Sequence, residues 1–147
     1  MTAMDELTGF ITARLDEDEA VAKAAAGDGP EWTVRSHPAD SAMIRDNEGL
    51  VLIYDEGTPT DKEAAHIARH DPARVLREVE AKRAIATMHQ PYDCMEPKGQ
   101  RCHRCASDKA YKSGAAIHEA WPCPTLRALA AAWSDHPDYR PEWTPAP

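Results

Sequence analysis

The tract Thr60-Asp61-Lys62-Glu63-Ala64-Ala65-His66-Ile67-Ala68-Arg69-His70-Asp71-Pro72-Ala73-Arg74-Val75-Leu76-Arg77-Glu78-Val79 decides how the chain is read. It holds two helix starts in succession. Thr60 to Glu63 has the form of a capping box: the threonine hydroxyl accepts from the amide three residues on, and the glutamate carboxylate accepts from the threonine amide. Asp71 before Pro72 reads as an N-cap with proline at the first helical position, where no N–H is needed. The first helix carries Ala64, Ala65, Ile67 and Ala68 up to His70. The second, over 72–89, sets Val75, Leu76, Val79, Ala86 and Met88 on one apolar stripe. Arg74–Glu78 and Glu78–Lys82 have the four-residue spacing of helical ion pairs. The tract predicts a kinked helical pair over residues 60–89.

Toward the N-terminus the period changes. Residues 31–56 contain three short β-prone runs, Glu31 to Arg35, Ala42 to Arg45 and Leu50 to Tyr54, separated by the turn-rich His37-Pro38-Ala39-Asp40 and Asp46-Asn47-Glu48-Gly49. A small antiparallel meander fits them, its third strand apolar on both faces and set against helices. Residues 4–26 read as one long helix. Leu7, Phe10, Ile11, Arg14/Leu15, Val21/Ala22 and Ala25 recur at intervals of three and four, up to the stop at Gly27-Asp28-Gly29-Pro30. Asp16-Glu17-Asp18-Glu19 falls on the wet side, and such a charge run is a solvated helix face.

Toward the C-terminus, Gln90-Pro91 ends the helical pattern. Residues 90–123 read as an irregular cysteine-bearing segment with a short helix around residues 109–118. A last helix begins at Pro124 with Leu126, Leu129, Ala130 and Trp133 on one side. Residues 134–147 hold too many prolines for a helix and form an extended strap, with Tyr139 and Trp143 packed back on the domain. The whole is read as a single α+β, mostly helical domain, 1–147.

Composition sets the limits. The 147 residues include only seven Leu, six Ile, five Val and one Phe against 26 Ala, with four Trp, four Tyr and five Met restoring apolar volume. Such a thin core calls for a further staple. No run approaches 18 apolar residues, and the N-terminus lacks the basic and apolar regions of a secretory signal, so a cytoplasmic protein without membrane contact is expected. Residues 1–58 hold thirteen acidic and four basic side chains, and the formal net charge is −8. That balance argues against a general nucleic-acid binder, whose phosphate contacts need a basic face.

In a reducing cytosol the four cysteines serve better as metal ligands, or stay idle thiols, than as disulfides. Their pattern is Cys94-x7-Cys102-x2-Cys105-x17-Cys123. Cys102-His103-Arg104-Cys105 is a knuckle whose turn presents two sulfurs to one tetrahedral ion, and Cys123 stands at the N-cap of the last helix, where the dipole favours a thiolate. The expected cofactor is a structural zinc on Cys94, Cys102, Cys105 and Cys123, with His103 or His118 able to replace Cys94. Four protein ligands close the coordination sphere and leave no open position for catalysis. Lys98, Arg101, Arg104, Lys109 and Lys112 surround the knuckle. Part of that charge offsets the thiolates, and the rest, over residues 98–112, is a candidate nucleic-acid contact.

Other motifs are weaker. His66 and His70 stand one helical turn apart, as in metal-binding helices, but Ile67 occupies the place where the zincin pattern needs glutamate. Ser41, Ser107, Ser113 and Ser134 lie in no nucleophile elbow, and there is no glycine-rich phosphate loop.

The tracts HIARHDPARVLREVEAKR (66–83), CPTLRALA (123–130) and DHPDYRPEW (135–143), with FITARLDEDE (10–19) and Trp32, resemble a family of small actinobacterial and actinophage proteins grouped as a domain of unknown function. The resemblance spans most of the chain. It implies a bacterial or phage origin and the order of elements given above, and it brings no activity or catalytic residue with it. Residues 33–58 and 90–120 are where members are least alike, so the cysteine set rests on spacing alone. The resulting expectation is a small non-enzymatic interaction or regulatory protein with structural zinc and a protein partner. A nucleic-acid-associated protein using residues 98–112 is the alternative. A metal-dependent enzyme built on His66 and His70 comes third.

Overall fold

A computed structural model describes residues 3–36, 42–53, 59–96, 98–110 and 113–146. The chain divides into two compact units, residues 16–80 and residues 1–15 with 81–147, and helices α1 (Ala3–Ala26) and α3 (Pro72–Met88) contribute to both. The fold is α+β, with the long first helix, the helical pair and the C-terminal helix joined by two antiparallel sheets.

In the unit of residues 16–80, β1 (Trp32–Ser36), β2 (Ala42–Asp46) and β3 (Val51–Ile53) form a meander in that order. Val34 lies opposite Ile44, and a bulge falls between Ile44 and Arg45. Helix α2 (Asp61–Arg69) packs on β1 and β2. Ile44 and Ala64 are fully buried between them, with Trp32, Leu52, Ile53 and Ile67 packed around. All three residues of β3 are partly buried, as a short strand with two apolar faces requires. The turn into β3 is held by Asp46, whose Oδ1 accepts from the Leu50 amide at 2.7 Å, while Gly49 takes φ +88°. A Cβ at Gly29 would come within 2.6 Å of that same Asp46 carboxyl, so only glycine fits there. The expected turn at residues 37–40 and the end of the third run at residues 54–56 lie outside the described residues.

The two predicted helix starts are both formed. The Thr60 hydroxyl accepts from the Glu63 amide at 3.3 Å, and the Glu63 carboxylate accepts from the Thr60 amide at 2.8 Å. The Thr60 amide, and next its hydroxyl, which also donates to Glu63 Oε2 at 2.9 Å, hold the Glu63 carboxyl below its usual range. At the second start, Asp71 Oδ1 accepts from the Arg74 amide at 2.7 Å and Oδ2 from the Trp32 amide at 3.2 Å. The Ala73 amide donates to the Pro30 carbonyl at 3.1 Å. One aspartate therefore both caps α3 and fixes the entry of β1. The apolar stripes are narrower than the spacing suggests: Val21 is 69% exposed and Met88 50% exposed. In the acidic run Asp16 and Glu17 are exposed, Asp18 and Glu19 are half-buried, and Glu19 pairs with Lys23.

In the other unit, the described residues of 90–123 are mostly strand, with no helix among those of 109–118. They form β4 (Pro91–Met95), β5 (Lys98–Ala110) and β6 (Ala116–Ala120), paired antiparallel in that order. Strand β5 contains no β-branched and no aromatic residue, so neither propensity nor alternation marks it as a strand. Helix α4 (Pro124–Ala130) buries Leu126 and Ala130 and runs into a 3-10 turn at Ala131–Trp133, where Lys82 lies 5.3 Å from the centre of the Trp133 ring. The C-terminal residues are a series of turns rather than an extended strap, with a second 3-10 turn at Pro141–Trp143. Their rings gather on Phe10 of α1: Trp143 at 5.1 Å, His136 at 5.7 Å and Tyr139 at 6.0 Å between centroids. Arg140 pairs with Glu6 at 2.6 Å, and Arg14 meets His136.

Candidate metal centre

Four side chains from three elements meet in the cysteine-bearing unit. His89 follows the last turn of α3, its amide still bonded to the Ile85 and Ala86 carbonyls at 3.3 Å. Cys102 and Cys105 lie on β5, and Cys123 stands just before Pro124 at the start of α4. Their ligand atoms lie within 4.8 Å of one another. His89 Nδ1 is 3.4 Å from each of the three sulfurs, Cys102, Cys105 and Cys123. A tetrahedral zinc with bonds of about 2.3 Å to sulfur and about 2.0–2.1 Å to nitrogen sets nitrogen–sulfur edges near 3.5 Å. The cluster matches that figure on all three edges.

Strand geometry alone would not produce this. Residues three apart on a regular strand point to opposite faces. The pairing of β5 with β6 shifts register between Arg101 and Ala106, so the knuckle departs from the regular alternation. The Arg104 amide donates to the Cys102 sulfur at 3.4 Å, and the Thr125 hydroxyl lies 3.4 Å from that of Cys105. These are the outer contacts that orient thiolate ligands.

Cys102 and Cys123 are fully buried, whereas His89 and Cys105 are half-buried. Burial pushes the Cys123 thiol from 9.0 up to about 12, against the Leu126 amide, which lowers it; the neighbouring Cys102 and Cys105 add to the rise. Without a metal, the helix start therefore does not make Cys123 a thiolate. In that state the thiol's contribution to stability is present below pH 9 and is lost as pH climbs through about 12. A metal ion arriving at neutral pH has a proton to displace.

Of the residues singled out by spacing, the structure brings together Cys102, Cys105 and Cys123 and places His89, not Cys94, beside them. Cys94 sits inside β4 opposite Gly99, and its thiol meets the Glu96 carbonyl at 3.4 Å. His103 is exposed, with its ring 4.7 Å from that of Tyr92 at a tilt of 41°, and His118 meets the edge of the same ring at 5.6 Å. His103 follows Cys102 directly on β5 and turns to the Tyr92 ring instead of the cluster. His89 closes the end of α3, just ahead of the segment 90–123 read as cysteine-bearing, so spacing did not mark it as a candidate.

The basic residues around the knuckle differ in exposure. Lys98 and Arg104 are exposed, whereas Arg101 is half-buried and donates to the His118 carbonyl at 3.3 Å. Lys109 belongs to β5, and Lys112 lies outside the described residues. His66 and His70 have rings 4.6 Å apart and gather no third metal-ligating group among the described residues. No helix among the described residues is long and apolar enough to cross a membrane.

Fold and cluster together define an α+β protein with a preformed three-cysteine, one-histidine group able to hold a metal ion. The chain belongs to a family of unknown function, DUF6221, whose model matches residues 4–145. No curated protein and no solved structure matches it.

Proposed function

We propose that this is a small non-enzymatic interaction or regulatory protein of the cytoplasm whose cysteine-bearing unit is stapled by one structural zinc on His89, Cys102, Cys105 and Cys123. The three equal 3.4 Å separations between His89 Nδ1 and the sulfurs carry this reading. Three thiolates and one imidazole give the centre a net charge of −1, and four protein ligands leave zinc no position for water or substrate. Zinc here holds β5 to the end of α3 and the start of α4; it performs no chemistry. A reducing compartment suits thiols that form no disulfide with one another. Purified protein is expected to carry one zinc per chain. Zinc titrated into metal-free protein at pH 7 in weak buffer is expected to release protons, with fewer released by Cys123→Ser. Folded protein that takes up no zinc would sink the proposal.

A second reading keeps nucleic acid as partner. Tyr92 and His103 have ring centres 4.7 Å apart at a tilt of 41°, His103 is an exposed ring against which a base can pack, and Lys98 and Arg104 on the same strand are exposed and able to meet phosphate. Arg101 is already engaged with the His118 carbonyl, which leaves those two as the contacts to test. Single-stranded RNA or DNA should then bind with a salt-dependent affinity that falls about tenfold in the Lys98→Ala, Arg104→Ala double variant. Unchanged mobility of oligonucleotides at low salt would end this reading.

A further inference from the structure

The three cysteines of the cluster differ in a respect that coordination alone does not use. Cys102 and Cys123 are 0% exposed, so their sulfurs are closed to solvent, whereas Cys105 keeps part of its surface open. A reagent arriving from outside can therefore meet sulfur only at Cys105. The three sulfurs lie within 4.8 Å of one another, and none is in a disulfide. An accessible thiolate beside buried ones is the arrangement of an oxidisable pair, in which the outer sulfur takes the oxidant and a neighbour resolves it.

The surroundings give loss of the metal a structural consequence. Among the described side chains of β5 only Cys102 is buried, so the strand has no apolar anchor of its own. His89 and Cys123 reach it from the end of α3 and the start of α4. A disulfide joins two sulfurs and cannot hold an imidazole, so it parts the strand from the end of α3.

We propose that the centre is a peroxide-sensitive switch, entered at Cys105, in which disulfide formation expels zinc and frees β5 from the end of α3. This rests on the zinc reading above. Hydrogen peroxide, small and uncharged, suits an opening at one half-buried residue. The Cys105 thiolate attacks a peroxide oxygen: an S–O bond forms, the O–O bond breaks and hydroxide leaves. The Cys102 or Cys123 thiolate then attacks the Cys105 sulfur, forming the S–S bond and expelling a second hydroxide. Two thiolates have given two electrons to the peroxide, and two protons turn both hydroxides into water. The third thiolate takes up a proton as the metal leaves. A dithiol returns the two electrons, and the cluster can bind zinc again.

The test treats full-length, zinc-loaded protein with hydrogen peroxide while a chromophoric chelator reads free zinc. Peptide mapping after thiol alkylation identifies the disulfide. Zinc is expected to leave in step with one disulfide that contains Cys105, and to be taken up again after dithiothreitol. Cys94→Ser should release zinc at the unmodified rate. Thr125→Val keeps all four ligands and removes the hydroxyl 3.4 Å from the Cys105 sulfur. To a thiolate that hydroxyl can only donate, so its loss leaves the sulfur more basic, and release should run about twofold to fivefold faster. Zinc retained under millimolar peroxide, zinc lost with all three ligand thiols still free, or a disulfide between Cys102 and Cys123 with Cys105 reduced would each overturn the switch and leave the zinc reading standing. An unchanged rate in Thr125→Val would overturn Cys105 as the point of entry. Protein that takes up no zinc at the outset overturns the zinc reading and the switch with it.

Discussion

Replacing His89 with alanine is expected to weaken zinc binding at least about a hundredfold, whereas Cys94→Ser leaves the affinity and the stoichiometry unchanged. Structural zinc contributes about 10 kcal/mol or more in small modules, spread over its ligands, and even outer-sphere contacts are worth tenfold to a hundredfold. Losing a first ligand costs more than that. Cys94 contacts the Glu96 carbonyl and has no place in the cluster, so its thiol is dispensable for metal. The contrast matters because cysteine spacing alone points to the opposite result. Competition with a chromophoric chelator measures both affinities. Equal affinities for the two variants, or zinc lost only from the Cys94 variant, would show that the centre is built on a different set.

Metal removal should then act unevenly. Strand β5 buries almost nothing apolar apart from its cysteines, so chelation should raise hydrogen exchange through β4, β5, β6 and α4 first. Helix α3 keeps its own ladder, its Asp71 cap and the buried Val79, and should remain protected longest. Exchange in the reverse order would mean that zinc is not what holds the sheet.

The second large effect concerns Asp71. Asp71→Ala removes a helix cap, worth about 1 kcal/mol, and leaves the Trp32 amide without its acceptor, worth about 1–3 kcal/mol more. A total near 2–4 kcal/mol is a large part of what a small domain has in reserve. Urea unfolding followed by circular dichroism should show this loss at unchanged zinc content. Asp71→Asn should fall between, because its one carbonyl oxygen can keep the cap but not both bonds. A cost below about 0.5 kcal/mol would mean that Asp71 does not join α3 to β1.

These two sites show what was legible in the sequence and what was not. Thr60, Glu63, Asp71 and Pro72 act within a few residues of one another, so the helical pair could be read from the letters, and structure and reading agree on both starts. Asp71 holding Trp32 could not be read, because it links residues far apart in sequence. Strand β5 was invisible for another reason. Its residues have no strand preference of their own; neighbours on both sides and the cluster beneath impose the conformation. The knuckle cysteines and Cys123 stood out by spacing, whereas His89 was hidden as the tail of a helix already accounted for.

The position of the ligands along the chain also orders events during synthesis. His89, Cys102 and Cys105 leave the ribosome before Cys123, which lies 18 residues beyond Cys105. With the proposed zinc, a growing chain would pass through a stage in which three ligands are available and the fourth corner is open to water or to a metal-donating thiol. Closure waits for Pro124 and the first turn of α4 to bring Cys123 in. The last of the four to be made is also one of the two most deeply buried, so with zinc bound its arrival would complete the coordination and shut the ion away from exchange.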